Sequence, residues 1–286
     1  MAGAVAVGPT LLSACGSAGP GAGGSDTLAS LQKAGTITVG IAGEQPYGFM
    51  DQGKLTGMDP TVQTAIWNAL GIKTVKAVQT EFDGLIPGLL AHHYDVVSAG
   101  MFINSERCQQ AIFSDPMYTA PEAFMVKSGN PKGLTDFDSV AKSGAILGVF
   151  NAAVELQYAK SAGVPSGNIK TMPSQQAAIT QLMQGRIDAI ALTSISLAWA
   201  LQHESADIQS ALEVTPGFFP VVDGKKQIGA GGAVFRPSDG SLRDAFNQQL
   251  DKMRDSGQLL TLIKPFGFDA STIPPKSLTT ASLCAS

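Results

Sequence analysis

The chain has 286 residues and a formal charge of -4, from 19 Lys and Arg against 23 Asp and Glu. Charged residues make up 15%, well below the quarter or so of a typical soluble domain, while 44% hydrophobic content excludes wholesale disorder. The acidic balance argues against a nucleic-acid-binding protein, no apolar run approaches the roughly 20 residues of a membrane span, and three scattered Cys are too few for a disulfide scaffold or a Cys-based zinc site.

Seven of the 32 Gly fall within residues 1–24, every aromatic lies at Tyr47 or later, and Asp26 is the single charge of the first 30 residues. Such a segment cannot bury enough surface to offset its ordering entropy, so residues 1–30 are expected to lie outside the fold. Leu12-Ser13-Ala14-Cys15 resembles a bacterial lipobox, in which the Cys is acylated, and the Gly-rich tract 16–25 then reads as a tether. Met1 is followed by no Lys or Arg, a departure from the basic stretch of an export signal; the plainer alternative is a low-complexity tail with a chance Cys.

Residues 36–41 form a β-branched run, read as a strand. Asp59-Pro60 predicts a helix start, continued by Val62, Ala65, Ile66 and Ala69 and closed by Gly71. Residues 74–78 read as a strand, 83–90 as a helix capped by Asp83, and 95–99 as a third strand, a βαβαβ pattern that implies a parallel sheet. A second such unit follows: strand 146–150, helix 151–161, strand 169–172, a helix capped by Ser174 and stopped by Gly185, strand 187–192 and helix 194–202. One strand at 227–235 and helices from 239 to 264 complete the pattern. Two α/β units suggest two lobes joined by crossing strands, expected at 123–127 and 229–235. Ligands in such sheets sit beyond the carboxyl ends of strands, which nominates 43–49, 80–82, 100–107, 150–153 and 193–194.

No phosphate loop, metal-ligand spacing around His92, His93 or His203, or Gly-x-Ser-x-Gly elbow is present, so no cofactor and no metal are expected. Cys108 and Cys284 read as passive, with nothing in the pattern bringing residue 284 near 108. The strand-end segments hold Glu44, Tyr47, Phe49, Phe82, Phe102 and Arg107. A guanidinium suits a carboxylate bidentately, and aromatic faces suit an organic cation. Together they describe a site for a small zwitterion. The same residues also fit a plainer arrangement, with Phe82 and Phe102 in the core and Arg107 paired with a surface acid.

Phe82-Asp83-Gly84-Leu85-Ile86-Pro87-Gly88-Leu89-Leu90, Tyr94-Asp95-Val96-Val97, Ser105-Glu106-Arg107 and Phe113-Ser114-Asp115-Pro116 resemble the first lobe of the solute-binding proteins of polar amino-acid ABC transporters, and Gln184-Gly185-Arg186-Ile187-Asp188-Ala189 resembles a motif of their second lobe. The resemblance spans about residues 31–268. It implies a type II periplasmic-binding-protein fold, with lobe 1 at 31–125 and 232–270, lobe 2 at 126–231 and a C-terminal tail at 271–286. It also implies an extracytoplasmic monomer, in the periplasm or at the outer face of the cytoplasmic membrane, that hands its ligand to an ABC permease and touches the membrane only through a lipid on Cys15. Arg107 then becomes a carboxylate ligand. The chain departs from the amino-acid binders at Thr193, where they carry an Asp for the α-ammonium, at Phe102 and Asn104, where small hydroxyl residues are common, and at Ala152-Ala153, where Gly-Thr is frequent.

Residues 41–49, Ile-Ala-Gly-Glu-Gln-Pro-Tyr-Gly-Phe, and Glu106-Arg107-Cys108-Gln109-Gln110 are similar to the ectoine/hydroxyectoine-binding branch of that family. Ectoine is a cyclic amidinium carboxylate. The resemblance implies that Arg107 grips the carboxylate, Glu44 hydrogen-bonds the ring N–H, and Tyr47, Phe82 and Phe102 box the cation, with Asn151 and Thr193 closing the site from the second lobe. The competing expectations are a binder of a polar or cationic amino acid, a dehydratase-like enzyme on the same fold, for which Glu44 is the one obvious acid in the cleft, and the sensor lobe of a receptor.

Overall fold

The structure, a computed structural model, describes residues 1–3 and 26–285. Two five-stranded sheets form two lobes. In the first, Thr74–Gln79, Thr36–Ile41 and Val96–Val97 lie side by side and parallel, followed by Val234–Phe235 antiparallel and Ile112–Phe113 at the edge. In the second, Ile169–Met172, Leu147–Phe150 and Ala189–Thr193 are parallel, and Glu122–Lys127 and Leu212–Val214 complete the sheet beyond them.

Local sequence explains most of these elements. Ile37, Val39 and Ile41 alternate along their strand and are fully buried, as a period of two requires. The helix Gly240–Asp255 buries Leu242, Phe246, Leu250 and Met253 at helical spacing. Phe246 and Phe235 pack against Trp67 of the helix Met58–Ala69 at ring-centroid distances of 5.2 and 6.4 Å, which closes the first lobe's core.

Several expectations are corrected. Residues 1–30 are not all outside the fold: a helix runs Asp26–Ala34, and Leu28 and Leu31 pack against the first lobe's core. Two leucines three apart share a helix face, which suffices to dock so short a segment. Cys15 and the tract around it lie outside the described residues. The crossing also falls elsewhere than expected. Glu122–Lys127 belongs wholly to the second sheet, and 227–235 breaks into Ala230–Gly231 and Val234–Phe235. Ala230 pairs with Thr119 and Gly231 with Tyr118, so the chain leaves the first lobe just after Tyr118–Thr119 and returns just before Ala230–Gly231.

Asp59 does not cap its helix; Gly57 stands at that position without a side-chain cap. Asp83 caps nothing either, since a 3-10 turn, Phe82–Gly84, precedes the helix Leu85–Leu90. Residues 271–285, expected as part of a C-terminal tail, pack on the first lobe. The helix Thr280–Cys284 buries Leu283 against the first lobe, and Cys284 forms a disulfide with Cys108. That contact joins positions 176 apart in sequence, a distance over which periodicity carries no information. Among the described residues no helix is long and apolar enough to cross a membrane.

Candidate functional site

The site forms where strand ends of both sheets face each other. After Thr36–Ile41 the chain turns through Glu44, Gln45, Pro46 and Tyr47, and the turn is closed by Gly43 N–H donating to Gly48 O (3.0 Å) and Gly48 N–H to Glu44 O (3.1 Å). After Val96–Val97 the chain reaches Gly100 at φ +61°. A side chain here would put Cβ 2.3 Å from the Tyr47 ring, so glycine is needed both for the backbone conformation and for the close approach. The turn is pinned from behind by Asp59, which accepts from Gly100 N–H (2.8 Å) and from Gln63 Nε2 (2.9 Å). Burial raises the Asp59 carboxyl to a pKa of about 6 despite these donors.

Glu44, Tyr47, Phe82, Phe102, Arg107 and Thr193 line one cavity, with Tyr118, Phe150 and Glu155 also in its wall. The empty space among these side chains is about 340 Å³, counting the part that opens to solvent. Tyr47, Phe102 and Tyr118 form a continuous aromatic wall, with ring centroids 5.1 Å (Tyr47 to Tyr118) and 6.0 Å (Phe102 to Tyr118) apart. Phe82 packs against the cores of both lobes. The Phe102 ring rests on Gly229, where a Cβ would clash at 2.4 Å.

Arg107 is 7% exposed. Its Nη1 donates to Phe102 O (2.8 Å) and its Nη2 to Ala152 O across the cleft (3.0 Å), and its guanidinium lies 5.2 Å from the Phe82 ring centroid. Among the described residues no carboxylate lies within 4.0 Å of it. Burial disfavours its charge, and Glu155 favours it from further off. Arg236 is equally buried but has Asp239 at 2.7 Å and Asp95 at 4.0 Å. A buried cation without its own counter-ion is costly and presents spare N–H donors to an incoming anion; the expected pairing of Arg107 with a surface acid is not found.

The other candidate residues are placed differently. Thr193 is in the wall, but its hydroxyl is already engaged: it caps the helix Ser194–Gln202 by accepting from Ser196 N–H (3.2 Å), and it lies 2.7 Å from the Tyr47 hydroxyl. Asn151 does not line this cavity but the adjoining one, which shares Phe82 and Arg107 with it. It is exposed at the cleft rim, where its amide donates to Asp83 (2.5 Å), because Ala152 at φ +55° turns the chain before the helix Val154–Ser161 begins.

Glu44 is not the one acid in the cleft. It accepts from the Ser196 hydroxyl (2.7 Å), Glu155 is 4% exposed in the wall, and Glu122 lies behind it at 1%. The carboxyls of Glu122 and Glu155 meet, and neither oxygen of Glu122 has a donor from any other described residue. Burial raises all three, Glu44 to about 8, and their mutual repulsion adds to the effect at Glu44 and Glu122. Glu155 stands two residues beyond the strand-end window 150–153, in the first turn of a helix; an acid there among apolar neighbours was the available signal. Tyr118 had none, since it enters through the pairing with Gly231.

Residues 37–269 match the model of bacterial extracellular solute-binding proteins, family 3. A probable amino-acid ABC transporter periplasmic-binding protein of Sinorhizobium fredii is 35% identical over 268 residues, 92% of this chain and 87% of that protein. An L-arginine-binding protein of Pseudomonas aeruginosa is 30% identical over 238 residues, 82% of this chain and 88% of that one. The crystal structure of EhuB in complex with hydroxyectoine superposes with a TM-score of 0.80 at 33% identity, covering 91% of this chain and 98% of that one. With the two-lobed architecture and the interlobe cavity, these likenesses place the chain in family 3 of the bacterial extracellular solute-binding proteins, as an extracytoplasmic solute-binding protein of an amino-acid-type ABC transporter with the type II periplasmic-binding-protein fold.

Proposed function

We propose that this protein captures ectoine or hydroxyectoine between its lobes and delivers it to its permease unchanged, as a carrier and not an enzyme. The observation that carries this reading is the buried Arg107 guanidinium, with no carboxylate partner among the described residues, in an aromatic-walled cavity that also holds Glu44 and Glu155. A zwitterion supplies both missing charges. Its carboxylate takes the spare donors of Arg107, and its ring cation lies among Tyr47, Phe82, Phe102 and Tyr118, each aromatic face contributing about 0.5–2 kcal/mol. The amidinium N–H groups face Glu44 and Glu155, which ionise as the cation arrives. The likeness to a hydroxyectoine complex supports the same choice. Cys15, acylated in the lipobox-like Leu12–Cys15 segment, holds the protein at the membrane; mass spectrometry of native protein showing an unmodified chain that extends upstream of Cys15 would refute the anchor.

One observation favours a second reading. Glu44 and Glu155 line the cavity and Glu122 lies behind them, three buried carboxyls to one buried guanidinium, a surplus that suits a ligand with an extra positive charge, and one relative is named an L-arginine-binding protein. Calorimetry against ectoine, hydroxyectoine, glycine betaine and an amino-acid panel that includes arginine separates the two. Ectoine is expected to bind most tightly and to be recovered intact, as checked by proton NMR of the released ligand. Tight binding of arginine without a response to ectoine sinks the first reading, and turnover of the bound ligand sinks the carrier role.

A further inference from the structure

The helix that carries Arg107, Ser105–Cys108, has four residues. A single helical turn is unfavourable by itself, because it fixes several backbone dihedrals for one hydrogen bond. On its N-terminal side it is held by Asn104, whose side chain accepts from Arg107 N–H (2.9 Å). On its C-terminal side the next residue after Arg107 is Cys108, covalently bound to Cys284. The helix Thr280–Cys284 is itself anchored to the first lobe. Its N-terminus is closed by a reciprocal cap between Thr279 and Ser282, Thr280 donates to Ser114 O (2.8 Å), and Leu283 is buried.

We infer that the Cys108–Cys284 disulfide is a positioning element of the ligand site, which fixes the backbone of Arg107 so that its guanidinium is in place before the ligand arrives. This rests on the reading of Arg107 as the carboxylate partner. An extracytoplasmic setting keeps such a bond oxidised, and ordering completed during folding is not charged to binding. Neither cysteine touches the cavity, so the pair acts through Arg107 alone.

The test compares the oxidised protein with the Cys108→Ser, Cys284→Ser double variant, and with the unaltered protein reduced by a water-soluble phosphine, which takes oxygen from water and leaves two thiols. Opening the bond should weaken ectoine binding about tenfold, while the carboxylate-free ring, 2-methyl-1,4,5,6-tetrahydropyrimidine, loses less than twofold. Equal losses for both ligands, or none for either, would overturn the inference. A ligand-free readout guards against a wrong choice of ligand: nitrogen-15 NMR of arginine-labelled protein, with the Arg107 signals identified by Arg107→Lys. The Nη signals of Arg107 should be resolved in the oxidised protein and averaged once the bond is open, while those of Arg236 stay unchanged. Unchanged Arg107 signals after opening reject the positioning role whatever the ligand. Averaged signals in a protein whose oxidised form ignores ectoine reject only the ligand. If the double variant fails to fold, the reduced protein supplies both measurements.

Discussion

Arg107 and Arg236 are both buried, and their partners assign them opposite tasks. Arg236 is neutralised by Asp239 at 2.7 Å and donates to Tyr94 O (2.9 Å), so Arg236→Ala strands a buried acid and should cost about 3–5 kcal/mol of stability with ligand affinity retained. Arg107→Ala should cost about 2–5 kcal/mol of binding and leave the melting temperature nearly unchanged. Calorimetry and thermal melts on the two variants check the contrast, and a destabilised Arg107→Ala with normal affinity would make that residue structural. The acids allow a second prediction. Glu44 is raised from the ordinary 4.5 to about 8 and Asp59 from 3.8 to about 6. Between the lower and upper values the folded protein holds protons that the unfolded chain has released, so stability falls as pH rises through this window. The ligand-free protein should melt at a higher temperature at pH 5 than at pH 8, and Glu44→Gln should flatten the part above about pH 6. A melting temperature that rises over this range would contradict the burial of these groups.

At the level of elements, turns place the chemistry. The Gly100 turn brings together the Tyr47 ring, the Tyr118 hydroxyl, which donates to Gly100 O (2.5 Å), and the Asp59 carboxylate behind them. Gly100→Ala forces a Cβ into the Tyr47 ring at φ +61°, at a cost of about 1–3 kcal/mol, and displaces an aromatic wall. Thermal melts and calorimetry should show stability and ligand affinity falling together; a variant with both intact would mean that the turn relaxes freely. The strand-end rule found the segments carrying Glu44, Tyr47, Phe82, Phe102 and Arg107 because each follows directly on a β-branched or apolar run. It missed Tyr118, which lies in the strand from which the chain leaves the first lobe, and it included Asn151, whose side chain a positive-φ residue at 152 leaves at the rim, in the adjoining cavity beside Arg107.

Across the whole molecule, side chains of the two lobes bond to each other directly. Ser196 donates to Glu44 (2.7 Å), Trp199 Nε1 to Gln45 Oε1 (3.3 Å) and Gln175 to Gln45 O (3.1 Å), while Tyr47 meets Thr193, and Gln157 meets Glu106. These bonds hold the lobes closed and compete with opening. Losing two of them, at about 1 kcal/mol each, should shift the closed-to-open ratio roughly thirtyfold. The Ser196→Ala, Trp199→Phe variant should therefore show a larger radius of gyration by small-angle scattering when empty, and should contract again with ligand. An unchanged radius would mean that packing, not these bonds, sets closure.

The sequence by itself determined what depends on near neighbours: the two α/β units, through runs of period two and apolar stripes at helical spacing, and the strand-end chemistry of Glu44, Tyr47, Phe82, Phe102 and Arg107. Tertiary structure alone decided what depends on distant chain segments meeting. It left Arg107 without a carboxylate within 4.0 Å among the described residues, set Glu122 against Glu155, and brought Cys284 to Cys108 across 176 positions. Burial and charge pairing are properties of neighbours in space, and in a two-lobed fold the chain leaves and re-enters each lobe before those neighbours are assembled.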